Sequence, residues 1–288
     1  MKYDIFYQNS AGIKLDLCNV PYLLETGNFL DFAWEFTAST NYNAYGGKID
    51  EFTKSITSRK LTLTIMAWTE LEYKEALDKM IDTFEYDIIH KTPGKLYVNG
   101  NYMKCYVTAG NISDWESAVE LMTAELTITT EYPMWIIEKE WNFVPTGNLA
   151  DGSKKYPNRY PYRYANGSTT GTIFQGSISP ANFKIVFHGP AQDPQVIIGG
   201  NTYGVQGIDL DESDYIVIDS SEGKILKYFA DGEVRNIFNA RTRVNSCFAR
   251  LPAGSLPVSW TGEFLLSITV FEERSMPKWS LSQSRKTV

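Results

Sequence analysis

The sequence predicts a mainly β protein in two parts: an α+β unit with one helix over residues 1–140, and an antiparallel β-sandwich of jelly-roll or lectin type over residues 141–288. Helical periodicity is convincing in one stretch, and strand-like alternation fills most of the rest. A long segment rich in Gly, Pro, Asn and Tyr, without periodicity, separates the two parts.

In the first part, "SRKLTLTIMAW" alternates Leu61, Leu63 and Ile65 with Lys60, Thr62 and Thr64, as a half-buried strand does. The helix follows. Leu77, Met80, Ile81, Phe84 and Ile88 recur at three- and four-residue spacing, which predicts an apolar stripe packed on a sheet. Thr69 is the expected N-cap, with Glu72 completing a capping box and Trp68 with Tyr73 placed for a hydrophobic staple. Pro93 and Gly94 end the helix. "KLYVNGNYMKCYVT" then holds Asn99-Gly100 between two β-branched and aromatic runs, the pattern of a type I′ hairpin. "SAVELMTAELTITTEY" supplies a further strand, with Leu126 and Ile128 on one face.

Residues 37–57, "TASTNYNAYGGKIDEFTKSIT", are polar with two Tyr and a Gly-Gly, and too long for a tight turn. Long loops in compact domains are functional or disordered. Two readings stand: an arm that orders against a neighbouring subunit, or a flexible loop.

Residues 147–171, "GNLADGSKKYPNRYPYRYANGSTTG", form the break between the parts and are assigned to the second. Tyr156, Tyr160, Tyr162 and Tyr164, with Arg159 and Arg163, are residue types that anchor interfaces. They could equally pack back onto the sandwich, with stacking on sugar faces ranking behind both readings. After them, "ANFKIVFHG", "PQVIIGG", "YIVID", "KILKYF", "SCFARL", "LPVSW" and "FLLSITVFEER" read as short strands separated by turn residues, with no helix between them.

Little in the sequence points to chemistry. The net charge of −7 and the absence of Lys/Arg clusters argue against nucleic-acid binding, and no apolar run is long enough for a membrane span. Cys18, Cys105 and Cys247 are odd in number and widely spaced, neither a disulfide framework nor a zinc set. Neither His90 nor His188 has a second histidine or a GxSxG elbow to work with. No phosphate-binding glycine loop is present, and no cofactor is implied. Asp209, Asp211, Glu212 and Asp214 resemble a calcium loop, but Asp214 stands where that loop needs Gly and Ser220 where it needs Glu. In "DYIVIDSSEGKILKYFADG" the acids Asp214, Asp219, Glu222 and Asp231 punctuate turns around two strands rather than face each other across a cleft.

The ordered series of segments resembles the distal tail protein of siphovirus-type phages, the phage tail component family, over nearly the whole chain. The resemblance rests on "SRKLTLTIMAW", the helix and "PGKLYVNGNYMKCYV" in the first part, and on "NRYPYRYANG" at the connector. In the second part it rests on "DYIVIDSSEGKILKYFADGEVRNIFN", "FARLPAGSLPVSWTG" and "FEERSMPKW". Ser255-Leu256-Pro257 departs from the pattern at one local turn.

The resemblance implies a tail-tube-like first domain, a sandwich or barrel with one helix, followed by a galectin-like sandwich. It implies a non-enzymatic virion protein of the tail tip, made in a bacterial cytoplasm: a homo-hexameric ring joining the major tail tube protein to a tail-tip or tail-lysin protein and to receptor-binding proteins. Residues 42–54, with Tyr42, Tyr45, Lys48 and Lys54, are then candidates for contacts between subunits. Tyr160, Tyr162, Arg163 and Tyr164 are candidates for contacts between domains or with peripheral proteins. The alternative is a β-sandwich module binding host cell-wall sugars.

Overall fold

The structure is a computed structural model that describes residues 3–40, 45–116, 121–145 and 169–279. It is mainly β, with one α-helix among the described residues, as the sequence predicts. The chain divides into two compact units: Met1–Ile137 together with the segment from Arg274, and Glu138–Glu273.

The first unit opens with β1 (Ile5–Gln8), β2 (Lys14–Asp16), β3 (Cys18–Asn19) and β4 (Tyr22–Gly27). Two strands apart from the core follow, β5 (Glu35–Thr40) and β6 (Gly47–Thr53). Then come β7 (Thr57–Met66), α1 (Glu70–His90), β8 (Gly94–Val98), β9 (Asn101–Glu116) and β10 (Leu121–Thr130). The last strand, β11 (Trp135–Phe143), leads into the second unit.

The long β9 joins two sheets. Its first residues pair with β8, and its remainder pairs with β10, beyond which lie β7, β4 and β3. β8 in turn pairs with β1. Asn99 and Gly100 both take positive φ, 48° and 77°, as the Asn-Gly hairpin requires. Leu61, Leu63 and Ile65 of β7 and Leu126 and Ile128 of β10 are buried, so the alternation read from sequence matches the pleat.

The helix is capped as expected, with Thr69 Oγ1 accepting from the Glu72 backbone N–H at 3.3 Å. Its buried face is rotated from the expected stripe. Tyr73, Ala76, Met80, Phe84 and Asp87 are buried, whereas Ile81 and Ile88 are exposed. The staple is not formed either, because Trp68 is 89% exposed. The cause is polar. Asp87 Oδ2 accepts from Tyr7 Oη at 2.6 Å, and its Oδ1 from Ser10 N and Ser10 Oγ at 2.7 Å each. A carboxylate so satisfied can be buried, and its position fixes the rotation of the helix on the sheet.

The second unit contains β12 (Thr169–Gln175), β13 (Asn182–His188), β14 (Ala191–Gln192), β15 (Gln195–Ile198), β16 (Asn201–Gly204) and β17 (Asp209–Leu210). It continues with β18 (Tyr215–Asp219), β19 (Lys224–Tyr228), β20 (Val234–Asn236), β21 (Gly254–Trp260) and β22 (Leu266–Arg274). One sheet runs β20-β19-β18-β13-β22 and the other β12-β21-β15-β16. Between them lies a shared core that includes Phe183, Ile185, Ile216 and Ile268 from the first and Ile173, Val196, Val258 and Trp260 from the second. This is a β-sandwich. "SCFARL" is not a strand as expected. It is an irregular segment that buries Cys247 and Leu251, the latter bridged to Ala181.

Candidate interaction surface

The stretch read as an arm or a loop is a β-hairpin. β5 and β6 pair antiparallel, Glu35 with Thr53 through Thr40 with Gly47, and among the described residues they pair with no other strand. Every residue of both strands is exposed. A register shift between Thr37 and Ala38 gives β6 one extra residue, because Thr37 pairs with Glu51 and Ala38 with Ile49. Such a bulge flips the alternation that follows it. Ile49 therefore joins Phe52 on the side that carries Trp34, Phe36 and Ala38 across the ladder. The opposite side carries Glu35, Thr37, Ser39, Lys48 and Glu51. The hairpin is amphipathic, yet its apolar face is uncovered: Phe36 is 60% exposed and Phe52 57%.

Local contacts hold this geometry. Trp34 meets Phe52 edge-on at 6.5 Å between centroids, and Phe36 meets it at the same distance. Lys54 lies 4.6 Å over the Trp34 ring and donates to the Pro133 carbonyl at 3.2 Å, tying the foot of the hairpin to the unit. Burial, with a smaller push from Arg59, lowers the Lys54 pKa. Ser55 Oγ donates to Glu35 Oε2 at 2.6 Å.

Of the residues singled out in sequence, Tyr45 stands wholly exposed beside the hairpin, Lys48 is on its polar side and Lys54 is at its foot. Tyr42 lies outside the described residues, as do Tyr160, Tyr162, Arg163 and Tyr164. Sequence reasoning did not single out Trp34, Phe36, Ile49 and Phe52. Their signal is Trp34 and Phe36 two apart, but the bulge breaks the matching period in β6.

A second uncovered apolar surface runs along α1. A trough of about 510 Å³ lies between the helix flank and strands β9 and β10, lined by Leu77, Ile81, Phe84, Ile88, Val107, Ile112 and Met122 among others. Among the described residues, Glu85 is the only charged one in its lining.

The titratable groups whose types suit catalysis have structural partners. His90 Nδ1 lies 2.8 Å from the Tyr86 carbonyl, and His188, its pKa lowered by burial, has Nε2 3.4 Å from Ser267 Oγ. Asp219 Oδ1 accepts from the backbone of Ser221 and Glu222, as turn chemistry requires. Asp214 is more than punctuation, for it is buried with Lys227 Nζ 2.9 Å from its Oδ2. Among the described residues no group of three or more His, Cys, Asp or Glu side chains could hold a metal ion. Tyr215 and Tyr228 stack at 4.7 Å with planes 5° apart, so one face of each ring is taken by the other.

No protein-family model matches the sequence, and no curated protein matches it. Solved structures do match. The Dit protein of phage SPP1, described as a paradigm of the hub adsorption apparatus in phages infecting Gram-positive bacteria, superposes with a TM-score of 0.59 at 11% identity. The match covers 94% of this chain and 99% of that one. A chain of the phage P2 baseplate in its activated conformation with calcium gives a TM-score of 0.62 at 12% identity, covering 96% and 100%. The same baseplate with strontium gives 0.59 at 12% identity, covering 96% and 99%. Across both units, the chain has the fold of these phage hub and baseplate proteins.

Proposed function

We propose that this protein is a structural component of a phage tail tip, a non-enzymatic hub. It assembles as a hexameric ring that joins the tail tube protein to the tail-tip or tail-lysin protein and, at its periphery, to receptor-binding proteins. The observation that carries this reading is the amphipathic hairpin. A two-stranded hairpin is marginal in water by itself, and this one turns Trp34, Phe36, Ile49 and Phe52 to solvent. Uncovered apolar faces of this kind mark association sites. The hub fold, shared over nearly the full length, supports assembly as the purpose.

The ring is a head-to-tail assembly, in which rotation by one sixth of a turn closes the contact. Tyr45 and Lys48 flank the hairpin and belong to this contact in the proposal, with Tyr42 in the same segment. Tyr160, Tyr162, Arg163 and Tyr164 serve peripheral contacts. The experiment is mass measurement by light scattering across concentration, alone and with the tube protein present. A hexamer is expected. A chain that stays monomeric at high concentration and beside its tube partner overturns the proposal.

A further inference from the structure

The first unit presents two apolar surfaces that the described residues leave open. One is the hairpin face, a ridge of aromatic rings. The other is the trough between α1 and strands β9 and β10, with Ile81 and Ile88 on the helix side and Ile112 on the strand side, all three exposed. We infer that the hairpin of one copy seats its aromatic face in the α1/β9–β10 trough of the next copy. This deepens the ring reading above and rests on it.

Four observations favour a second copy as the occupant. The hairpin and the trough are both uncovered in one and the same chain, so neither covers the other internally. They are different surfaces, a ridge of rings and a trough, and such a pair makes a head-to-tail contact that can propagate from copy to copy as a ring needs. Charge agrees, since among the described residues Glu85 is the charged group lining the trough, and Lys54 lies over Trp34 at the end of the hairpin's apolar face. Lys54 spends one donor on Pro133, and an ammonium has three.

Area agrees as well. Trp34, Phe36 and Phe52 are 46%, 60% and 57% exposed. At about 150–250 Å² per aromatic side chain, they offer roughly 250–400 Å² for burial. That is a third to a half of the roughly 800 Å² on one side of a standard interface. The hairpin is then a major part of the contact, and the strands and helix around the trough supply the rest. A trough of about 510 Å³ lies within the range of roughly 300–1,000 Å³ that buries compact ligands.

The test is disulfide trapping in the full chain. Cys18→Ser removes the only native thiol that is not buried, and Phe52→Cys with Ile81→Cys places one cysteine on each surface. Both positions are exposed, so the fold should tolerate them. Mild oxidation is expected to give a ladder of covalent oligomers from the double variant, and at most a trace of dimer from either single one. Strong dimers from Phe52→Cys alone would mean that hairpins meet hairpins, which overturns the inference. An oligomer seen by light scattering without any ladder overturns it while leaving the ring standing. A chain that is monomeric throughout overturns both.

Discussion

Phe36 and Phe52 face each other across the β5–β6 hairpin, their ring centroids 6.5 Å apart, and both remain more than half exposed. Most other large apolar side chains on the paired strands of this unit are buried or half-buried, as with Leu63 and Ile65 at 0%, and Ile112 of β9 is an exception. Among the described aromatic side chains of the first unit's paired strands, only the hairpin's are exposed; in the second unit Phe174 of β12 is 60% exposed as well. Exchanging the hairpin's rings should therefore separate assembly from folding. Phe36→Ser with Phe52→Ser is expected to change unfolding stability by no more than about 0.5 kcal/mol, the scale of surface substitutions. The same pair should abolish oligomers in light scattering. A drop in stability with assembly intact would show that the rings serve the monomer.

Asp87 should be among the most sensitive polar positions of the first unit. Asp87→Ala leaves Tyr7 Oη only its longer 3.4 Å contact to the Cys105 carbonyl and takes the acceptor from the backbone and side-chain donors of Ser10, an exposed residue. At about 1–3 kcal/mol for a buried group left poorly satisfied, a loss of about 1–3 kcal/mol, carried mainly by Tyr7, is expected in urea titration. Asp82→Ala, one helical turn away on the exposed side, should cost about 0.5 kcal/mol or less. Gly94→Ala should also destabilise, because a Cβ there would collide with Tyr7 and the Asp87 carboxylate.

The Asp214–Lys227 pair predicts an acid dependence. The hydrogen bond from Lys227 holds the Asp214 carboxyl below its ordinary pKa, and the Ala230 backbone N–H adds to this against the opposing effect of burial. A folded pKa below the unfolded value means that the contribution is complete well above the unfolded pKa, about 3.9. It is then lost as the pH falls through the folded value. Asp214→Asn should thus be less stable than the parent at neutral pH, with the gap narrowing as the pH drops below about 4. Thermal unfolding across pH checks this, and a gap constant down to pH 2 would contradict it.

Thiol reactivity should divide the three cysteines. Cys18 is partly exposed, whereas Cys105 and Cys247 are buried, and burial pushes the Cys105 thiol up to about 12. Only the thiolate attacks disulfide reagents. One thiol per chain is expected to react with an aromatic disulfide in the folded protein, and all three in denaturant. Fast reaction of a second thiol would mean that a core opens readily.

Much of the fold was legible because it follows local rules. Alternation placed Leu61, Leu63 and Ile65 in the core; Thr69 capped its helix; Asn99-Gly100 made its turn; and Ile216 with Ile218 went inside while Asp219 closed the loop. What was missed depends on partners distant in sequence. Asp87 lies outside the apolar stripe read from the sequence, because only Tyr7 and Ser10, far back in the chain, make its burial favourable. Trp68 was placed in a staple that the sheet leaves open. Asp214 was taken for a turn residue because Lys227, its partner, lies on the next strand. The hairpin face was hidden by a bulge, which shifts the period by one and so looks aperiodic when β6 is read alone.

The sequence by itself determined the mainly β class, the single helix and the order of segments that resembles phage tail proteins, because periodicity and turn chemistry are properties of neighbouring residues. Only the tertiary structure decided which side of the helix is buried and that residues 35–53 stand apart as an amphipathic hairpin. It alone decided that a trough beside α1 is left open. Those features follow from pairings between distant segments, where buried polar groups must find partners and apolar faces must find cover, and where this chain leaves two of them uncovered.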